Sequence, residues 1–147
     1  MTNRAPVTTS PRPVVSIAKD STVMDAVRAM VDANVGATVI LDAGRLLGVF
    51  TERDAVTRVL FKELDPAKTA VAEVMTRSVV TVREDADRSS VLKLMSEHHI
   101  RHLPVVDGEG RVLTMLSMRH LLRAEVHDLR QTVWQLVAEN TTDAPGG

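Results

Sequence analysis

The sequence of 147 residues contains no cysteine, which excludes disulfide bridges, thiolate nucleophiles, zinc ribbons and iron–sulfur clusters. Aromatic residues are nearly absent, since two phenylalanines and one tryptophan are the whole set. Base-stacking platforms are therefore not expected. The formal net charge is -1, and acidic and basic residues occur in similar numbers in both halves. We therefore expect no nucleic-acid partner and no attachment to an anionic membrane.

Long apolar runs are also missing. None approaches the ~20 residues that span a bilayer, and the polar start of the chain is unlike a secretion signal. With 44% apolar and 25% charged residues, the composition is typical of a globular protein, for which a cytoplasmic location is the default. The sequence contains no Gly-x-Ser-x-Gly, no His-Glu-x-x-His and no phosphate-binding glycine-rich loop, so we do not expect an enzyme.

The sequence repeats itself at a spacing of about 65 residues. The matching segments are 15–17 with 80–82, 40–42 with 105–107 and, after one added residue in the second copy, 44–47 with 110–113. This period is too long for a solenoid and indicates two copies of one small α/β unit. Because a unit of ~55 residues buries too little surface to be stable alone, the copies are expected to share a core.

Each copy has the same predicted order of elements: a short strand, an amphipathic helix, two strands joined by a tight turn, and a second helix. The predicted strands are residues 13–17, 38–41 and 46–50 in the first copy and 78–82, 103–106 and 112–116 in the second. Thr22 and Asp25 have the spacing of a capping box at the start of the first helix. The second helix of each copy begins at Thr51 or Ser117, and a short helix over 69–75 leads into the second copy.

Three segments are specific enough to suggest a family: Gly-Val-Phe-Thr-Glu-Arg-Asp at 48–54, Val-Ala-Glu-Val-Met at 71–75, and Ile-Arg-His-Leu-Pro-Val-Val-Asp at 100–107. With them, the sequence resembles a tandem pair of CBS domains (cystathionine β-synthase-type repeats, paired in a Bateman module) over about residues 13–123.

The resemblance implies an α/β (α+β) fold in which two β-α-β-β-α repeats pack about a pseudo-twofold axis. The boundaries are 13–68 for the first repeat and 69–123 for the second. Residues 124–139 are expected to form a helical extension, and residues 1–12 and 140–147 are expected to be disordered.

The first of these segments fits the family's Gly-apolar-apolar-Ser/Thr-x-x-Asp nucleotide motif. An ionised Asp54 only accepts hydrogen bonds and can bind both ribose hydroxyls, while Thr51 can bond a nearby phosphate or ribose oxygen. Free N–H groups at a helix start favour an anion. Apolar Val49, Phe50 and Val80 are expected to sandwich a purine. The alternative is that Thr51 and Asp54 form only a capping box.

The resemblance implies that the other half of the site comes from the second repeat. The basic positions that contact phosphate in nucleotide-binding members are here Arg101 and His102, just before the Leu-Pro strand, and Arg119. Arg53, inside the motif, is a further candidate, because arginine binds phosphate through two parallel hydrogen bonds. Taken singly, Arg53 and Arg119 are equally well explained as ordinary surface cations.

The equivalent site of the second copy has lost its functional residues. Ser117 and His120 stand at the positions of the threonine and aspartate, and a histidine cannot accept two hydroxyl donors as a carboxylate can. Gly36 and Ala37 stand where the second copy has its basic pair. We therefore expect one working site per chain.

Two other patterns allow different interpretations. His98, His99 and His102 suggest transition-metal binding, but the pattern crosses a helix end without an acidic partner, so no metal is expected. A helix over 117–139 carries a heptad stripe beside Trp134, formed by Leu122, Val126, Leu129, Val133 and Leu136. This heptad stripe packs either on its own domain or on a partner subunit.

The resemblance implies a homodimeric regulatory module that senses cellular energy or redox state by binding an adenine nucleotide: AMP, ADP, ATP or NAD(H). Such a module acts in trans on another protein, here unidentified. The cations at the site favour phosphate-bearing ligands over S-adenosylmethionine derivatives. The alternatives are a constitutive dimerisation scaffold with an empty cleft and, less favoured, a histidine-based metal protein.

Overall fold

The computed structural model describes Val7 and residues 14–142. The disorder expected for the two ends falls mostly on residues 1–6, 8–13 and 143–147, which lie outside the described residues. Among the described residues, none of the helices combines the length and the hydrophobicity that a transmembrane span requires.

The two copies fold into the same order of elements, as the sequence predicts. The first half of the chain contains β1 (Ser16–Ala18), α1 (Val23–Ala33), β2 (Ala37–Asp42), β3 (Arg45–Thr51), α2 (Glu52–Asp54) with its π-helical continuation (Ala55–Leu60), and α3 (Val71–Val74). The second half contains β4 (Val82–Arg83), α4 (Arg88–His98), β5 (His102–Val106), β6 (Val112–Ser117) and α5 (Met118–Thr142). The two first strands are shorter than predicted, because pairing begins only at Ser16 and Val82.

Each repeat builds one three-stranded sheet, in the orders β1-β2-β3 and β4-β5-β6. In both sheets the first strand runs parallel to the second, and the second is antiparallel to the third. Backbone conformations also repeat: Asn34 and His99 end α1 and α4 in the left-handed region, with φ of 53° and 54°. Gly44 and Gly110 have φ of 80° and 81° in the equivalent strand turns, a conformation that glycine adopts without strain.

Apolar residues form one core cluster in each repeat and a third cluster between the sheets. The first includes Met30, Ile40 and Phe50, and the second includes Met95, Leu103 and Leu116. The third is built on Ala37, Val39 and Val49, with Val79, Val112 and Met115 packed against it. The interface between the repeats is therefore apolar.

The segment that joins the repeats packs into the first repeat. Val71, Val74 and Met75 belong to the first core cluster, although the sequence boundary places them in the second repeat. Thr76 exchanges two backbone hydrogen bonds with Val49, at 3.0 and 2.9 Å. A Cβ on Gly48 would lie 2.8 Å from the Thr76 carbonyl oxygen, so the glycine of the motif lets the linker cross β3.

Val7 makes the reciprocal contact. Its N–H donates to the Ala86 carbonyl at 3.4 Å, and its side chain packs on the second core cluster. In the first repeat, the N–H of Val71 donates to the Ser21 carbonyl at 2.8 Å, which is the equivalent bond. Val7 is the one residue of 1–12 that the structure describes, and the disorder expected for this segment stays a prediction.

α5 is held to its own repeat at its beginning and extends beyond it. Leu121 is buried in the second core cluster, and the buried guanidinium of Arg88 pairs with Glu125 and Asp128. The helix ends at Thr142, three residues beyond the predicted end at Glu139, since the last turn continues through the polar residues. The heptad stripe is exposed, from 47% at Leu122 to 58% at Val133, so it does not pack on its own domain.

Candidate functional site: a cavity between the two repeats

A cavity of about 550 Å³ opens between the repeats. Its walls come from the β3–α2 junction, the segment after α3 and the α4–β5 junction: Gly36, Val49, Thr51, Glu52, Arg53, Asp54, Thr76, Ser78, Val79, Val80, His99, Ile100, Arg101 and His102. Seven of the nine predicted site residues line it: Val49, Thr51, Arg53, Asp54, Val80, Arg101 and His102. The volume lies within the ~300–1,000 Å³ that is usual for small-molecule sites.

Thr51 and Asp54 form a capping box at the start of α2. The Asp54 N–H donates to Thr51 Oγ1 at 3.1 Å, and the Thr51 N–H donates to Asp54 Oδ2 at 3.0 Å. Both residues line the cavity, and Asp54 is only 8% exposed. A carboxylate has about four acceptor positions, and the Thr51 hydroxyl keeps its own proton to donate. The capping role therefore leaves both groups able to bind a ligand.

Arg58 fixes the other oxygen of this carboxylate, a role that the sequence analysis missed. Its Nε lies 3.4 Å from Asp54 Oδ1. Its Nη1 donates to the carbonyls of Met75, at 3.1 Å, and Val74, at 3.4 Å. The π-helical continuation of α2 carries Arg58, and it therefore connects the cavity carboxylate to the end of α3. An acid and a base four residues apart are the only sequence signal for this pair.

His102 stands opposite Gly36 in the cavity wall. A Cβ on Gly36 would lie 3.2 Å from both Cε1 and Nε2 of the His102 ring, so a larger residue would displace the imidazole. Burial is the largest cause that lowers the pKa of His102; the positive charges of Arg101 and His120 lower it further, and the Glu52 carboxylate opposes them. His102 is therefore neutral near pH 7 in the free protein.

Glu52 is a second residue that the sequence analysis missed. Its N–H donates to the Gly36 carbonyl at 3.0 Å, and its Oε2 approaches the Gly36 Cβ position to 3.5 Å, beside the His102 ring. The fixed charges of the lining are thus two arginines, Arg53 and Arg101, and two carboxylates, Glu52 and Asp54. Charge balance in this cavity is closer to neutral than the sequence analysis expected.

Two predicted site residues lie elsewhere. Phe50 is fully buried in the first core cluster, because alternation along β3 turns its side chain away from the cavity. Its predicted contact with a purine is wrong, and Val49 and Val80 supply the apolar wall. Arg119 lies in a surface groove on α5 with Leu122, Arg123 and Arg130, outside this cavity.

Neither Ser117 nor His120, the altered pair of the second copy, lines this cavity. Among the residues that the structure describes, no three histidine or acidic side chains are placed to hold a metal ion. His98 ends α4, His99 adopts the left-handed cap conformation, and His102 begins β5. The three side chains therefore belong to different local structures and do not form a ligand set.

Comparison with curated proteins gives relatives with the same repeat. The mitochondrial CBS domain-containing protein CBSX3 of Arabidopsis thaliana is 34% identical over 124 residues, 81% of this chain and 60% of that protein. An uncharacterized protein of Methanopyrus kandleri is 30% identical over 115 residues, 78% of this chain and 59% of its own length. The chain therefore spans about three fifths of these relatives.

Solved structures share the fold. A signal-transduction protein with CBS domains from Burkholderia ambifaria has a TM-score of 0.77 and 33% identity, covering 81% of this chain and 87% of its own. The CBS domain pair of MJ0100, in complex with 5′-methylthioadenosine and S-adenosyl-L-methionine, has a TM-score of 0.77 and 26% identity, covering 84% and 98%. PAE2072 from Pyrobaculum aerophilum, complexed with AMP, has a TM-score of 0.68 and 26% identity, covering 74% and 82%.

The family model of the CBS domain matches the chain twice, at residues 7–60 and 71–127. These two matches cover the two sheets and their helices. The two exchanged segments, Val7 and residues 71–76, each pack on the other repeat and fall inside the matched residues. The doubled family match and the doubled fold agree, and the chain belongs to the CBS domain family as a CBS-domain pair.

Proposed function

We propose that this CBS pair is a regulatory module, and not an enzyme, that binds an adenine nucleotide in the cavity between its repeats. The observation that carries the proposal is the convergence of Thr51 and Asp54 from one repeat with Arg101 and His102 from the other. Asp54 accepts the ribose hydroxyls, Val49 and Val80 pack on the base, and the basic pair faces the phosphate. Related pairs with AMP or 5′-methylthioadenosine bound support a ligand of this class.

The charges of the lining favour a nucleotide with few phosphates. Arg101 offers the paired donors that suit phosphate. His102 offers one N–H donor when it is neutral, and a second donor with a positive charge when it is protonated. The Glu52 carboxylate beside His102 repels an anion that extends further. AMP is therefore the ligand that we propose first among AMP, ADP, ATP and NAD(H).

The proposed module is a cytoplasmic homodimer that transmits ligand occupancy to another protein. Apolar side chains exposed on the continuation of α2 and on α5 support an assembly through these helices: Val56 and Leu60 are 56% and 73% exposed, and Leu122 and Val126 are 47% and 48% exposed. A twofold pair is the commonest arrangement of soluble oligomers. The exposed heptad stripe also supports a second candidate function, a constitutive dimerisation scaffold.

We expect AMP to bind the purified protein with one molecule per chain, and to bind more tightly than 5′-methylthioadenosine, which lacks the phosphate. Titration calorimetry with both ligands measures stoichiometry and affinity. Ser117→Ala and His120→Ala are the matched controls, and neither is expected to change the stoichiometry. Binding of two equivalent AMP molecules per chain would contradict the single site. Absence of binding heat with every adenosine ligand would contradict the nucleotide module and favour the constitutive dimerisation scaffold.

AMP affinity is expected to fall as the pH rises from 6.5 to 8. The pKa of His102 is lowered in the free protein, so its imidazole takes up a proton when a bound phosphate stabilises the charged form. One coupled proton changes affinity by at most about ten-fold per pH unit. The groups around the ring are Glu52, Arg101 and His120, so His102→Gln isolates its contribution. A pH dependence that persists in His102→Gln would contradict this assignment.

A further inference from the structure

The C-terminal part of α5 carries an apolar face that nothing in the described part of the chain covers. Its heptad stripe is exposed over its whole length, and Val137 beside it is 54% exposed. We infer that α5 pairs with α5 of a second copy as a parallel, two-stranded coiled coil. The inference deepens the homodimer of the proposed function, because it specifies the segment and direction of pairing.

The residue types on the face match this oligomeric state. In heptad positions a to g, Val126 and Val133 occupy a, whereas Leu122, Leu129 and Leu136 occupy d. β-branched residues at a with leucine at d favour two parallel strands over higher oligomers. The next a position is Asn140, and a polar residue at one a position fixes the register of a pair.

The module itself leaves this face open. Leu121 is buried and Glu125 and Asp128 pair with Arg88, so the c and g side of α5 faces its own repeat. The opposite side consists of a, d and e positions, and its first two turns form the surface groove that contains Arg123 and Arg130. A second helix can therefore lie along the heptad stripe without displacing the contacts of the module.

Flanking charges select the parallel direction. In a parallel pair, position g of one helix faces position e of the other five residues later, which places Glu125 near Arg130 of the second copy. The Glu125 side chain is 30% exposed while its Oε2 pairs with Arg88, so a contact with Arg130 of the second copy would add to that ion pair and not replace it. In an antiparallel pair the e positions face each other, and Arg123 and Arg130 would meet arginines. Like charges destabilise that arrangement.

Cysteine cross-linking tests the direction, because the chain has no cysteine of its own. Val126→Cys and Asn140→Cys place one thiol each at a positions two heptads apart, about 21 Å along the helix. In a parallel pair each variant forms a covalent dimer under mild oxidation. Gln131→Cys, at the outer f position, is the control and is expected to remain monomeric on a denaturing gel.

An equimolar mixture of the Val126→Cys and Asn140→Cys variants tests the antiparallel arrangement. Cross-links only between the two different variants would show an antiparallel pair, and no cross-link above the level of Gln131→Cys would show that the helices do not pair. Either result overturns the inference. Homodimeric cross-links at both positions support it.

Sedimentation of Val133→Glu separates this inference from the proposed function. A buried glutamate pair at an a position is expected to raise the dimer dissociation constant at least about ten-fold. Its AMP affinity is expected to equal that of the unmodified chain, since Val133 lies outside the cavity. An unchanged dimer would overturn the coiled coil and leave the homodimer, whereas absence of AMP binding in the unmodified chain would overturn only the nucleotide site.

Discussion

Asp54→Ala is expected to weaken AMP binding by at least about 100-fold, while the chain stays folded. Two hydrogen bonds from ribose hydroxyls to a carboxylate contribute ~1.5–3 kcal/mol each, and 1.4 kcal/mol corresponds to a factor of ten in affinity. The substitution also removes a capping contact and the Arg58 ion pair. Its effect on the stability of the fold must therefore be measured separately from its effect on AMP affinity. Calorimetry gives the affinity, and thermal unfolding gives the stability.

The start of α1 provides the matched control. Thr22 and Asp25 form the same capping box there, with the Thr22 N–H donating to Asp25 Oδ2 at 2.9 Å and the Asp25 N–H donating to Thr22 Oγ1 at 3.1 Å. Asp25→Ala removes an equivalent capping contact at a residue that does not line the cavity. We expect it to lower the stability slightly, through loss of the capping contact, with AMP affinity unchanged. Equal losses of affinity in both variants would refute the ribose contact of Asp54.

The double substitution Glu125→Gln with Asp128→Asn is expected to destabilise the fold by about 3 kcal/mol, the lower end of the range for a buried charge that loses its partners. The Arg88 side chain is 6% exposed, so its guanidinium cannot regain full hydration when both carboxylates are neutral. Arg88 also stands in the first turn of α4, where the helix dipole disfavours a positive charge. Urea unfolding at one fixed protein concentration measures the change.

Arg88→Met is expected to cost less than the double substitution, because the two remaining carboxylates are 30% and 37% exposed and can hydrate. Glu97→Gln removes the exposed pair with Lys93 and is expected to change stability by less than ~0.5 kcal/mol. A larger loss in Arg88→Met would contradict this prediction, because methionine keeps most of the aliphatic stem and removes only the charged head.

The repeat, the order of elements and the helix starts follow from the sequence because they depend on local patterns. Thr22 with Asp25 and Thr51 with Asp54 are capping boxes in the structure at the predicted spacing. Strand boundaries are predicted less accurately: β1 and β4 begin only where pairing with β2 and β5 begins, at Ser16 and Val82, and the partner strand decides this boundary.

Local sequence patterns do not predict the site residues whose position depends on packing between distant segments. Phe50 is apolar and lies in the motif, yet only the direction of its side chain decides that it packs in the core. Glu52 is positioned by Gly36, and Arg58 by the carbonyls at the end of α3. Neither partner is visible from the spacing of residues. The family resemblance supplied Arg101 and His102, for which local chemistry alone gave no signal.

The exchanged segments mean that the unit of duplication differs from the unit of folding. Val71, Val74 and Met75 complete the core of the preceding repeat, and Val7 contacts the core of the following one. A single copy excised along the sequence period would expose the apolar surface that its neighbour covers. The two repeats are therefore expected to unfold cooperatively, because unfolding of either repeat removes packed side chains or backbone hydrogen bonds from the other.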